Sequence, residues 1–458
     1  MTKSAEKLYM SYAVKNSEGA ALMPSYIIRS MRKMFSHCLK LSYKDTAQQN
    51  SYVTIPRAAN SFDNTEIAAN VDENIIDSLT VGSVTSFENF AECPLRYYLR
   101  YGVDLKEREE FTFSPVNFGV VLHAVIREVC DEIKKNGESY YLISEEKRRE
   151  MVKRSVAAIT DIYQNSILKD SSRNSFMIKR MEDLADRTVW AMGEQLKCGD
   201  FVPFVFEHKF NMEVGDGDRK QLMSGTIDRV DICENGTDVY VRIIDYKTGK
   251  KDFNIVKTYY GIDIQLMVYM EAAMKLVAKM RPGKNVIPAG VFYYNISDPI
   301  VSATTESAEE IEDKIKGELR LKGMVNSDKD IAEKMDNTEG TSLNIPVSRK
   351  ADGGFDSRRS KVMNTEQFNI LGRFVDVRAI DTADRIAGGD IRRSPYKDGQ
   401  FSSCDRCPYG AVCGFSVDLP GCNYRKLKKF DDEVLWNNIK EGVDENGKKM
   451  DTGAEERD

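Results

Sequence analysis

The sequence predicts an α/β fold, a mixed central sheet flanked by helices and carrying a helical insert, from three observations. Strand-like runs rich in β-branched and aromatic residues occur at Val202–Met212, Gln221–Ile232, Val239–Tyr246 and Ile287–Ile296. Asn235-Gly236 supplies a tight turn between the second and third runs, which makes them an antiparallel hairpin. Helical periodicities bracket the runs, at about residues 118–135, 263–280 and 365–387, so both faces of a sheet can be covered.

Taken in order, residues 1–40 hold a strand-like stretch and an amphipathic helix with no visible partners, and residues 41–80 are polar and aperiodic. Residues 1–80 therefore read as the remnant of a preceding region plus a linker. In Ser83-Val-Thr-Ser-Phe-Glu-Asn-Phe90, Thr85 and Glu88 fit a capping box, so a helix should begin there and run through Cys93 toward Tyr101, with Pro94 kinking it. Val121, Leu122, Val125, Ile126 and Val129 recur at helical spacing, with His123 between them. Two long patterns with charged faces, at 144–167 and 174–198, form the helical insert. Residues 324–362 are charged and Gly-containing and read as a surface excursion, and residues 431–458 as a charged mobile tail. The expected catalytic domain is thus 81–430.

At 458 residues the chain can bury a substantial core, and 41% hydrophobic with 30% charged residues exclude a disordered or fibrous protein. A net charge of −6 excludes a globally basic nucleic-acid binder and leaves a local groove as the only route to such a partner. No apolar run approaches the roughly 20 residues of a membrane span, and Met1–Met10 lack the core of a signal peptide, so a cytoplasmic location is expected. In that reducing compartment the nine cysteines are not expected to pair, and a cluster of them points to a metal.

The strongest chemical signal is Gly225-Thr-Ile-Asp-Arg-Val-Asp231 followed by Ile243-Ile-Asp-Tyr-Lys-Thr-Gly249. It puts Asp228 and Asp245 on adjacent antiparallel strands, with Lys247 on the same strand face as Asp245. Two carboxylates on a hard divalent cation beside a lysine suit phosphodiester hydrolysis, in which the cation activates water and the lysine neutralises developing charge. Asp231 suits a turn or salt bridge better than the metal. Glu207, on the preceding strand, is a candidate supporting acid. Gln265 and Tyr269 lie at i and i+4 on one helix face.

Cys404, Cys407 and Cys413 have C-x2-C-x5-C spacing, three thiolates from one loop, and Cys93, 311 positions earlier, is the expected fourth ligand. Spacing alone fits structural zinc as well as an iron-sulfur cluster. Cys422 is a rival ligand, and Cys38, Cys130, Cys198 and Cys233 read as small apolar residues.

In this order, histidine on a helix, Asp, D-x-K, then Q-x-x-x-Y, the residues resemble the RecB-like nucleases of the PD-(D/E)XK superfamily. His123, Asp228, Asp245, Lys247, Gln265 and Tyr269 fall on that family's motif positions. From residue 82 to about 428 the chain is similar to the nuclease domain of AddB subunits of bacterial AddAB helicase-nucleases, and residues 8–40 to the end of their inactivated helicase-like region. The resemblance implies a restriction-endonuclease-like core, with Mg2+ or Mn2+ held by His123, Asp228 and Asp245. It gives Lys247 to the phosphate, with Gln265 and Tyr269 assisting. It implies a [4Fe-4S] cluster on Cys93, Cys404, Cys407 and Cys413, which decides against zinc. It further implies exonuclease action on single-stranded DNA, an AddA-type helicase/nuclease subunit as partner, and a role in double-strand-break repair by recombination. No G-x-x-x-x-G-K-[ST] loop occurs, so ATP hydrolysis is not expected of this chain. The same motifs admit a catalytically inactive cluster-bearing scaffold, or a stand-alone nuclease of the CRISPR-adaptation type.

Overall fold

Strands β2 (Val202–Val214), β3 (Gln221–Asn235) and β4 (Asp238–Lys247) form the antiparallel meander expected from their β-branched runs. This computed structural model describes residues 82–106, 115–162, 172–214, 221–302, 305–418 and 422–444, so the expectation for residues 1–80 lies outside the described residues. Asn235 pairs with Asp238, so the turn itself is Gly236-Thr237, one residue later than the sequence suggests. Gly236 sits there at a φ of 61°, which a glycine adopts without strain.

β1 (Gly82–Ser83) lies parallel to β3; β5 (Asn285–Asn295) is parallel to β4, β6 (Lys322–Asn326) antiparallel to β5, and β7 (Val362–Met363) parallel to β6. The result is one mixed seven-stranded sheet in the order β1-β3-β4-β5-β6-β7, with β2 on β3. β4 is buried on both faces, which is why it reads as an almost continuous apolar run. Tyr240, Ile244 and Tyr246 face a core built with α3 (Pro115–Lys135), α4 (Glu145–Ile162) and α5 (Ser172–Lys197). Val239, Val241 and Ile243 face the opposite core, built with α1 (Val84–Glu92), α7 (Gln265–Met280) and α10 (Thr365–Ala387). The remaining helices are α2 (Pro94–Tyr97), α6 (Ile255–Tyr259), α8 (Ala308–Glu318), α9 (Lys329–Met335), α11 (Gly410–Cys413) and α12 (Asp432–Asp444). A small sheet of β8 (Tyr396–Asp398), β9 (Phe401–Ser402) and β10 (Arg425–Lys426) brackets the C-terminal cysteines. Among the described residues no helix is long and apolar enough to cross a membrane.

Three expectations are corrected. The α1 cap is Ser83, whose hydroxyl accepts the Ser86 N–H at 3.2 Å; Glu88 serves no capping box and has another task. Residues 324–362 are not a surface excursion: Ile331, Ala332, Met335, Ile345 and Val347 enter the core, and buried Asp336 binds Ser342 and Asn344. The tail expected from 431 onward holds α12, which buries Leu435 and Ile439 against the α10 layer; only residues 445–458 lie outside the described residues.

Asp231 is the salt-bridge residue. Wholly buried, it accepts two hydrogen bonds from Arg229, both at 2.7 Å, and one from Arg242 at 2.9 Å, joining β3 to β4. Burial alone would raise its carboxyl, but the two guanidinium groups outweigh that and hold it below the ordinary carboxylate value. A lowered carboxylate pKa gives stability that is present above the unfolded value and lost on acidification through the folded one. Asp231→Ala, which leaves two buried like charges, is expected to destabilise the domain by about 3–5 kcal/mol in a denaturant titration.

Candidate active site

β3 and β4 pair up to Arg229 and Ile244, after which the two strands are no longer matched residue for residue. Asp228 lies just past this point, and its Oδ2 accepts the Tyr246 N–H at 2.6 Å, taking the place of a ladder hydrogen bond. The other oxygen, Oδ1, lies 3.5 Å from His123 Nδ1, and Glu207 Oε1 lies 3.5 Å from the same nitrogen. His123 reaches this point because its α3 neighbours Val121, Leu122, Val125 and Ile126 are buried against the sheet, and its ring sits edge-on to Tyr246 at 5.9 Å.

His123, Glu207 and Asp228 each offer a ligand atom, all within 4.8 Å of one another. An imidazole with two carboxylates fits a Mg2+- or Mn2+-type site in its donor chemistry. Burial opposes protonation of His123, but its hydrogen bonds to Asp228 and Glu207 prevail and push it up to about 10. Glu207, expected only as a supporting acid, stands inside the group. It does so through a strained backbone: its φ is 48°, the left-handed region, within a strand.

Asp245 lies outside that donor group. Its Oδ2 is 2.5 Å from Lys247 Nζ, and Lys247 donates to Gln265 Oε1 at 3.0 Å. Gln265 Nε2 in turn donates to the Tyr269 hydroxyl at 2.9 Å. Burial, reinforced by the nearby Asp228 charge, pushes the Asp245 carboxyl up to about 7. The sequence-predicted residues therefore form two adjoining sets, His123 with Asp228, and Asp245-Lys247-Gln265-Tyr269. Gly225 makes the second possible: a Cβ there would lie 2.8 Å from Phe210 Cε1 and 3.0 Å from Tyr269 Cε1. His123, Glu207 and Lys247 keep between 21% and 27% of their side chains exposed, so the site opens to solvent on their side.

The cysteines gather at the other end of α1. Cys93 is buried at its C-cap in extended conformation, so the helix ends there and Pro94 starts the next instead of kinking one long helix. Burial raises the Cys93 and Cys413 thiols, and pushes Cys404 up to about 11 with Cys93, Cys407 and Cys413 adding to it. The four expected ligands thus lie within electrostatic reach of one another; Cys422, also buried, acts on Cys413. Protein contacts tie the same segments: Leu95 N–H to Arg392 O at 3.1 Å, Tyr409 hydroxyl to Leu105 O at 3.0 Å, and Arg425 to Ala91 O. Cys130 and Cys233 are core residues, as expected.

The profile described as the PD-(D/E)XK nuclease superfamily matches residues 82–414. Curated proteins named as the AddB-type subunit of an ATP-dependent helicase/deoxyribonuclease are similar along most of the chain. The protein from Caldanaerobacter subterraneus subsp. tengcongensis is 31% identical over 100% of this chain and 44% of its own length. That from Lachnoclostridium phytofermentans is 34% identical over 82% of this chain and 33% of its own. For Thermoanaerobacter sp. (strain X514) the figures are 29%, 98% and 44%. The chain spans less than half the length of these relatives. With the mixed sheet, the Asp228 and Asp245-x-Lys247 strands and a profile match over most of its described residues, the chain belongs to the PD-(D/E)XK nuclease superfamily.

Proposed function

We propose that this chain is a divalent-metal-dependent deoxyribonuclease that hydrolyses single-stranded DNA from an end, as the nuclease module of an AddAB-type complex with an AddA-type helicase/nuclease subunit. The observation that carries the reading is the meeting of the His123, Glu207 and Asp228 donor group with the Asp245–Lys247 pair on one edge of the sheet. Mg2+ or Mn2+ would be held by His123 and Asp228, with Glu207 and Asp245 completing the acidic set. Such an ion, when bound, activates water and polarises the scissile phosphate. Lys247 presents its ammonium group beside Asp245, where it can neutralise charge on a phosphate oxygen, and Gln265 fixes its direction. Names of the relatives support DNA as substrate and a helicase as company, and from these follows a role in double-strand-break repair.

Cys93, Cys404, Cys407 and Cys413 would hold a [4Fe-4S] cluster of structural purpose, joining segments that lie on either side of the nuclease motifs. The thiol set fits, since three come from one loop and the fourth from the end of α1.

Anaerobically purified full chain is expected to degrade end-labelled linear single-stranded DNA with Mg2+ or Mn2+, to stop in EDTA, and to recover when the ion is restored. Inertness both alone and with the helicase partner would favour the inactive scaffold.

A further inference from the structure

α7 begins with a defect that is repaired from elsewhere in the fold. Its N-cap is Ile264, whose side chain accepts no hydrogen bond, so the first amides of the helix lack a local partner. Glu88 of α1 supplies one: its Oε1 accepts the N–H groups of Ile264 and Gln265, both at 3.0 Å, across 176 and 177 positions of sequence. Around it lies a buried polar layer, in which Asp263 accepts from the Tyr293 hydroxyl at 2.5 Å and pairs with Lys251 at 3.0 Å.

The residue fixed in this way is the one that directs the lysine. Gln265 accepts from Lys247 Nζ, and Lys247 faces Asp245. We propose that Glu88 is a positioning residue for DNA cleavage: it holds the start of α7, and with it Gln265, so that the Lys247 ammonium group stays aimed at the reacting phosphate. The proposal rests on the nuclease function proposed for this site. Burial pushes the Glu88 carboxyl up to about 7, with Lys251 opposing, so the fold keeps an acid here at a cost that an apolar packing residue would not carry. α1 reaches Cys93 at its far end, so the same helix that meets the cysteines sets the lysine.

The test uses anaerobically purified full chain, end-labelled single-stranded DNA and Mg2+, with amide hydrogen exchange measured in parallel. Glu88→Ala is expected to lower kcat roughly 10- to 100-fold, the scale of an ångström-level misplacement. KM and iron content should hold, and exchange protection should fall at the Ile264 and Gln265 amides. Glu88→Gln, which keeps an acceptor oxygen, falls between the two. In a Gln265→Ala background the Glu88 substitutions add little, because the relay is already cut. Additive losses, or unchanged protection at residues 264 and 265 in Glu88→Ala, overturn the proposal. If Glu88→Ala does not fold, the Glu88→Gln and Gln265→Ala cycle decides in its place. Wild type no more active than Asp245→Ala removes the nuclease reading and the proposal with it; unchanged protection beside an active wild type sinks the proposal alone.

Discussion

Asp245→Ala is expected to leave the chain folded and to lower DNA degradation on the order of 10³-fold or more, measured as initial rate on end-labelled single-stranded DNA with Mg2+. The carboxylate stands between Lys247 and the charge of Asp228, so its loss removes an acid of the metal site and the partner that holds the lysine. Stability should move the other way. The carboxyl is raised from an ordinary 3.8 to about 7, so the folded state binds this proton more tightly than the unfolded chain does. Between those values ionisation of Asp245 progressively costs stability as pH rises, and the cost is complete above about 7. In EDTA, Asp245→Ala should therefore melt above wild type at pH 8, and the difference should shrink as pH falls toward 4. A variant that melts lower at pH 8 would show that the buried pair with Lys247 outweighs the cost of burying the carboxylate.

Cys93→Ser is the second large effect. A ligand set closing a loop of 311 residues restricts the unfolded chain strongly and contributes several kcal/mol. Its loss is expected to lower the melting temperature on the order of 10 °C. Iron and sulfide should disappear together, and nuclease activity with them. Cys422→Ser, by contrast, should retain its iron. Zinc in place of iron in anaerobically prepared wild type, or iron lost from Cys422→Ser and kept in Cys93→Ser, would overturn the ligand assignment.

The sheet was legible because β2, β3 and β4 alternate or run apolar at lengths a helix does not share, and because a glycine marks the turn. The order of His123, Asp228, Asp245, Lys247 and Gln265 was legible too, since motif residues lie close to one another in sequence. Glu207 was hidden in its role: only an unusual backbone angle brings it into the donor group, and no local pattern announces a left-handed residue inside a strand. The one signal present was an acid following the apolar Phe204-Val-Phe206. Glu88 was misread because its spacing from Thr85 mimics a capping box, whereas its true partners lie 176 positions away. Residues 324–362 misled for a related reason: their charges, such as Asp336, satisfy one another inside the fold and do not face water.

The joining of α1 to the C-terminal segment also sets the order in which this molecule can be made. Arg425 meets Ala91 across 334 positions, and Tyr409 meets Leu105 across 304. At roughly 5–20 residues per second, the first helix must wait about 15 to 70 s after leaving the ribosome before its closing contacts exist. Through that interval the apolar side of α1, with Phe87 and Phe90, lacks part of its cover. Completion of the domain is thus the last event of its synthesis, and the segment carrying Asp245 and Lys247 is translated well before the parts that finish its surroundings. A ribosome that stops short of residue 425 leaves the nuclease strands without their closure, so a truncated product is open to proteolysis before it can act on DNA.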